Sequence, residues 1–191
     1  MRQLLSFLVA FGLLTGTAEA NLSLVFGAHQ TSPRIDSTGS FNEDGSLGFQ
    51  LGVRADLAYL GGAVFQSGLI AVQRKFETGN GFVDYTFLNL DVPLFLNFRV
   101  ADAVSLYFGP KISINISDNC DASVGSCTIE DEDINQITVP VELGVEFDLS
   151  PSWAFGLYYQ YAATPILSDD NGTPPVDAFA DLYGLNFLYR F

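Results

Sequence analysis

The chain has 191 residues and a formal net charge of −14, with 48% hydrophobic and only 16% charged residues. This composition excludes a disordered or fibrous protein, and the length suits one domain of ordinary size. The negative charge argues against nucleic acid or an anionic membrane surface as a partner. Eighteen glycines and eight prolines in a sequence rich in phenylalanine and tyrosine favour many short strands separated by turns over a helical bundle.

The first 20 residues have the layout of a secretory signal. Arg2 precedes an apolar run over residues 4–14, and the small-residue site Ala18-Glu19-Ala20 follows, which is the pattern cleaved on export. The apolar run is too short for a membrane-spanning helix, which needs about 20 residues. We therefore expect a cleaved signal over residues 1–20 and one mature domain over residues 21–191.

The mature sequence alternates between apolar and other residues with a period of two, which predicts strands with one apolar face. The pattern is clearest at the end of the chain, where Tyr183, Leu185 and Phe187 alternate with Gly184 and Asn186. The same test predicts eight strands, which fall at about 22–28, 47–57, 63–76, 87–98, 104–117, 136–149, 153–162 and 182–191.

The third predicted strand has the weakest alternation. Phe65, Leu69 and Ala71 are assigned to its apolar face and Arg74 to the opposite face, but neighbouring Ile70 and Val72 are apolar too. Counted as a strand, it brings the total to eight. Long connections at 31–45, 77–81, 118–134 and 163–179 alternate with tight turns near Gly61, Ala101 and Ser150. This rhythm predicts an all-β, eight-stranded antiparallel up-and-down barrel.

The composition of the second face decides whether such a barrel lies in water, like a lipocalin, or in lipid. A soluble exterior is normally rich in lysine and glutamate, whereas the second face here is mostly glycine, serine, threonine, asparagine and glutamine. The apolar strand cores are about 10 residues long, enough to cross a bilayer when tilted. Aromatic residues would form an interfacial girdle at the short-turn rim: Tyr59, Phe98, Trp153 and Tyr189. These features predict a transmembrane barrel with outer-membrane lipid as its surroundings.

The long connections are acidic. They hold thirteen carboxylate residues and one base, Arg34, so the long-loop mouth should be strongly anionic. The segment 118–133 lacks the Asp-x-Asp-x-Asp-Gly spacing of a calcium loop, and we predict no metal site and no cofactor. Cys120 and Cys127 are the only cysteines, and in an exported chain they are expected to form a disulfide.

Charged residues on the second face predict a belt across the lumen. Counting outward from the turns sets Asp91 opposite Lys111, Lys111 opposite Glu142, and Glu142 beside Tyr158. Side-chain parity points all of them inward even if a register is shifted by two residues. The belt would satisfy buried charges and block the lumen to ions. Its predicted members are Arg54, Asp91, Lys111, Glu142, Tyr158 and Asn186, with Gln50 at a nearby depth.

The chain carries no recognisable catalytic motif. His29 is the only histidine, and neither a Gly-x-Ser-x-Gly motif nor a second histidine accompanies it. We therefore predict no enzyme and no catalytic residue. Two alternatives stay open: a cation-favouring porin for small solutes, suggested by the anionic mouth, and an outer-membrane hydrolase that uses His29.

Three short motifs carry a family resemblance. The runs at 88–96, 106–111 and 189–191 resemble signatures of the PorT-like, or porin-family, outer-membrane β-barrels of Gram-negative bacteria. The resemblance implies an eight-stranded barrel, no enzymatic chemistry, and insertion by the outer-membrane assembly machinery, which would read Phe191 as its signal. The leading hypothesis is a non-enzymatic barrel with a plugged lumen and acidic surface loops. It would serve envelope integrity or interaction with an unidentified surface partner.

Overall fold

The computed structural model describes residues 21–36, 43–78, 83–122, 134–169 and 176–191. Eight long antiparallel strands run through these ranges: β1 Leu22–Asp36, β2 Leu47–Leu60, β3 Ala63–Thr78, β4 Val83–Ala101, β5 Val104–Ala122, β6 Ile137–Thr138 and Pro140–Asp148, β7 Trp153–Ala162, and β8 Val176–Arg190. Two short strands, Glu43–Gly45 and Leu167–Asp169, pair with β3 and β8 near the long connections. No helix in the described ranges is long and apolar enough to span a membrane.

The sheet closes on itself. Each strand pairs with the next in the chain, and β1 pairs with β8 from Ser23 opposite Arg190 to Asp36 opposite Asp177. Closure leaves no unpaired edge along the wall. The prediction of an all-β, eight-stranded antiparallel up-and-down barrel is confirmed. The expected signal over residues 1–20 lies outside the described residues.

One end of the barrel carries the tight turns and both described termini. Gly61 and Gly62 form the β2–β3 turn with positive φ angles of 60° and 121°, a backbone region that favours glycine. The β4–β5 turn lies at Asp102 and Ala103, and the backbone amide of Phe191 donates to the Leu22 carbonyl at this end. In outer-membrane barrels short turns face the periplasm and long loops face outside.

The outer wall is apolar. Side chains on the predicted apolar faces are exposed along every strand, among them Phe49, Leu51, Ile112, Leu143, Leu157 and Leu185. An aromatic group lies at the short-turn rim, where the Trp153 ring packs edge-to-face on Phe26 and on Tyr189 at centroid distances of 6.4 and 4.9 Å. In a bilayer this wall faces the acyl chains, and the aromatic group lies at the interface.

Strand β3 departs from the simple alternation. Ile70 and Val72 are buried on the inner face together with Arg74, while Leu69 is exposed. The period of two is intact, but apolar side chains occupy both faces. Inside the barrel Ile70 and Val72 pack in a cluster with Phe95, Tyr107, Tyr158 and Leu182, which explains why hydrophobicity alone blurred the pattern there.

The three predicted pairings around Lys111 are wrong by two residues. Asp91 lies opposite Ser113, and Lys111 lies opposite Pro93. Glu142 lies opposite Gly109 on one side and Gln160 on the other. The β4–β5 and β6–β7 turns are each centred one residue later than assumed, and bulges interrupt β4–β5 pairing. A shift of two keeps every side chain on its face and changes only its depth.

Candidate functional site in the barrel lumen

Four charged side chains from neighbouring strands β3 to β6 meet in the middle of the lumen. Lys111 Nζ lies 2.5 Å from the Glu142 carboxylate and 3.7 Å from that of Asp91. The Arg74 guanidinium lies 2.9 Å from Asp91. All four side chains are at most 3% exposed. We call Arg74, Asp91, Lys111 and Glu142 the central cluster; its two positive and two negative charges balance.

Neutral groups add hydrogen bonds to the central cluster. Ser113 donates to Asp91 at 2.6 Å, and the Tyr107 hydroxyl donates to Glu142 at 3.0 Å. Lys111 also donates to the Gln160 side-chain oxygen at 3.2 Å. Buried charges are tolerated when they are both paired and hydrogen-bonded. Each of the four charged side chains has an oppositely charged partner and at least one hydrogen bond.

A second ionic group lies nearer the short turns. Arg54 of β2 pairs with Glu146 of β6, and both side chains are almost fully buried. Arg190 reaches Glu146 at 3.9 Å and Asp148 at 2.7 Å, and Arg99 reaches Asp148 at 2.7 Å. We call these five residues the lower cluster. It links strands β2, β4, β6 and β8 across the barrel.

An apolar group fills the lumen toward the long connections. Phe76, Phe87, Ile166 and Ala180 are each at most 4% exposed and pack together, with Tyr85 and Leu167 against them. The Phe76 ring stacks on Tyr85 and Phe87 at centroid distances of 5.2 and 5.8 Å. We call the four buried residues the upper cluster. The upper, central and lower clusters therefore lie at three different depths of the lumen.

The structure separates the predicted belt residues by depth. Asp91, Lys111 and Glu142 come together in the central cluster, with the Tyr158 ring 5.8 Å from Lys111 Nζ. Arg54 is one layer lower, and Asn186 pairs with Gln50 instead. Sequence reasoning missed five partners: Arg74, Tyr107, Ser113, Glu146 and Gln160. Side-chain parity places all five on the inner face. Their depth in the lumen depends on the registers between neighbouring strands, which parity does not give.

Glycine on the inner face makes room for the large side chains. The Tyr107 ring lies directly over Gly144 on the neighbouring strand, where an added Cβ would meet the ring at 2.3 Å. The Tyr107 hydroxyl is thereby held against Glu142. The close approach of this ring to the backbone positions one acid of the central cluster.

Four candidate residues remain: His29, Cys120, Cys127 and Phe191. His29 is buried on the inner face of β1, and its Nε2 lies 2.9 Å from the Gln73 carbonyl. Cys120 is disulfide-bonded, while Cys127 lies outside the described residues. Phe191 is exposed, and its ring contacts Tyr189 at 5.0 Å. Among the described residues no group of three or more histidines, cysteines or acids could hold a metal ion.

Comparisons with known proteins agree with this architecture. Residues 4–191 match the model of the outer membrane protein beta-barrel domain family. Neisserial surface protein A is 12% identical, with a TM-score of 0.57 over 89% of this chain and 97% of that one. OprG from Pseudomonas aeruginosa is 13% identical, with a TM-score of 0.56 over 90% and 96%.

A third similar structure is Ail, the attachment invasion locus protein of Yersinia pestis, which is 19% identical with a TM-score of 0.50 over 91% of this chain and 100% of that one. At these identities the likenesses show the fold alone. No match was found among curated proteins. The family match covers nearly the whole sequence. The chain therefore belongs to the outer membrane protein beta-barrel domain family and is a transmembrane protein of the Gram-negative outer membrane.

Proposed function

We propose that this protein is a sealed, non-enzymatic outer-membrane barrel that presents acidic loops for surface interaction or envelope integrity. Within its family we group it with the PorT-like barrels, on the motifs at 88–96, 106–111 and 189–191. Its signal over residues 1–20 is cleaved on export, and Phe191 is read by the assembly machinery. The long connections, with thirteen acids against one base, select a surface partner with a basic face.

The central cluster is the observation that carries the proposal. An eight-stranded barrel has an interior just wide enough for side chains to fill, and here Lys111 lies within 4 Å of two carboxylates. A permeating cation would have to separate these buried pairs. It would also have to pass the rings of Phe76 and Phe87 above them. Both barriers support a closed lumen over a porin.

The porin alternative is tested by solute entry into liposomes. Vesicles that contain the folded barrel should keep their volume in a small sugar solution as protein-free vesicles do, because no water-filled path crosses the lumen. An established porin serves as the positive control. If the vesicles swell at a rate that rises with their protein content, the sealed barrel is refuted and the porin alternative is supported.

The surface role is tested in cells. A strain whose barrel carries neutral amides in place of the acids at 130–133 should show the same loss of surface interaction as the deletion strain, while its barrel still reaches the outer membrane. If the strain with neutral amides at 130–133 behaves like wild type, the acidic loops do not mediate the surface interaction. Any envelope hydrolase activity should survive His29→Ala, since His29 is buried and its Nε2 contacts the Gln73 carbonyl. Loss of such an activity would favour the hydrolase alternative.

A further inference from the structure

A polar cavity opens below the lower cluster, at the short-turn end of the lumen. Its volume is about 260 Å³. Five of its lining side chains are inner-face polar groups that are at most 8% exposed: Ser23, Arg54, Gln66, Asn97 and Ser105. Asn21, Asp56, Tyr59, Arg99 and Arg190 line the rim with Gly62 and Val64. We call this cavity the vestibule; it faces the periplasm if the short turns do.

Positive charge converges on the vestibule in a strongly acidic protein. Arg54, Arg99 and Arg190 all line it, although the whole chain of net charge −14 has only eight lysines and arginines. The single carboxylate in the lining, that of Asp56, accepts from the Gln66 amide at 2.7 Å. The vestibule lining therefore carries three cations and one anion, and two carboxylates outside the lining, Glu146 and Asp148, pair with the cations.

The arginines keep donors for a ligand. Glu146 and Asp148, which are not part of the lining, are shared among all three guanidinium groups. Arg99 also donates to the Asp102 carbonyl at 2.7 Å. Three guanidinium groups offer fifteen N–H donors, whereas the two carboxylates and this carbonyl offer about ten acceptor sites. The two acids thus fix the positions of the arginines without saturating them. Positioned guanidinium groups with spare donors match the geometry of carboxylate and phosphate oxygens.

Size and location limit the ligand further. The volume is below the range of about 300–1,000 Å³ that holds drug-sized ligands, so the occupant must be small. The buried lining side chains are on the inner face, away from the acyl chains around the barrel, and Tyr59, which was predicted for the interfacial girdle, lies at the rim of the vestibule next to Asn21. On the lumen side of the vestibule lie the Arg54–Glu146 pair and Tyr107, whose ring centre is 5.4 Å from the Arg54 guanidinium carbon. We propose that the vestibule is a blind binding site for a small periplasmic oxyanion, a phosphate or a carboxylate.

Calorimetric titration of the folded barrel in neutral detergent tests this site. Inorganic phosphate and succinate are titrated separately at constant ionic strength, so that the two oxyanion sources are distinguished. Arg99→Gln should weaken the affinity at least about tenfold, because a charge-assisted contact is lost. Asp56→Asn should tighten it, because the only repelling carboxylate in the lining is neutralised. A variant that merely disturbed the fold would not bind more tightly.

Two matched variants control for net charge. Lys75→Gln and Asp84→Asn make the same charge changes near the long connections, at the opposite end of the barrel, and should leave the affinity within about twofold of wild type. The proposal is supported if either anion binds saturably, Arg99→Gln weakens and Asp56→Asn tightens the affinity, and the two controls do not change it. The anion that binds then identifies the ligand class as phosphate or carboxylate. The proposal fails if neither anion saturates, or if the vestibule variants and their distant controls shift the affinity alike.

Discussion

Replacing Lys111 by methionine should destabilise the barrel through Glu142. In the central cluster Asp91 would keep Arg74 at 2.9 Å and Ser113 at 2.6 Å. Glu142 would lose its only ion-pair partner among the described residues, and only the Tyr107 hydroxyl at 3.0 Å would remain. Removing one partner of a buried pair costs about 3–5 kcal/mol because the other charge is left uncompensated. We expect Lys111→Met to lower the free energy of unfolding by that amount.

A second substitution separates the charge effect from a packing effect. Adding Glu142→Gln to Lys111→Met removes the uncompensated carboxylate and keeps the side-chain shape. The double variant should then lie only about 1–3 kcal/mol below wild type, the cost of an imperfectly paired buried amide. Lys75→Met, at the only other lysine of the chain, is the control and should change stability by less than about 0.5 kcal/mol.

Urea titration of the barrel folded into lipid vesicles, followed by tryptophan fluorescence and by gel mobility, measures these values. Trp153, the only tryptophan, lies at the short-turn rim and reports the loss of the folded wall. A single variant as stable as wild type would refute the reasoning. So would a double variant that is less stable than the single one, since the second substitution would then remove a favourable contact instead of a stranded charge.

Three further predictions concern the wall and the packing inside it. Leu157→Arg, on the lipid face of mid-strand β7, should cost about 2–4 kcal/mol in urea titrations, whereas Leu149→Arg at the short-turn rim should cost at most about 1 kcal/mol; equal costs would contradict the lipid-facing assignment. Gly144→Ala should cost about 1–3 kcal/mol because the methyl group meets the Tyr107 ring, while Gly156→Ala, with its nearest neighbour at 3.4 Å, should cost less, and the reverse order would contradict the packing argument. Unheated barrel should migrate differently from boiled barrel on a denaturing gel, because the closed ladder resists opening; identical mobility would argue against a detergent-stable barrel.

The fold could be predicted because, in a lipid-facing barrel, successive side chains along a strand point alternately to the lipid and to the lumen. Residues such as Leu185 and Asn186 differ by one position and face opposite sides, so alternation assigned their faces without any knowledge of the turns. Strand β3 shows the limit of this signal. Ile70 and Val72 line the lumen, and an apolar inner residue cannot be distinguished from a lipid-facing one by hydrophobicity.

Depth in the lumen could not be predicted in the same way. The Lys111 pairings depend on where each turn is centred and on the β4–β5 bulges, and an error of one residue at a turn moves a partner by two positions along the strand. Arg54 consequently joins Glu146 in the lower cluster, and Arg74 takes its place beside Asp91. Glu142 and Glu146 have the same parity, so sequence alone offered no reason to prefer one over the other.

Single-channel recording tests the closed lumen most directly. Purified barrel inserted in a planar bilayer in potassium chloride should produce no conductance steps at any voltage the membrane tolerates, because a permeating ion would have to separate the buried ion pairs of the central cluster and pass the packed rings of the upper cluster. Insertion is verified separately by recovering protease-protected barrel from the same lipid. Reproducible cation-selective steps from wild-type protein would contradict the sealed barrel and establish a pore through the central cluster.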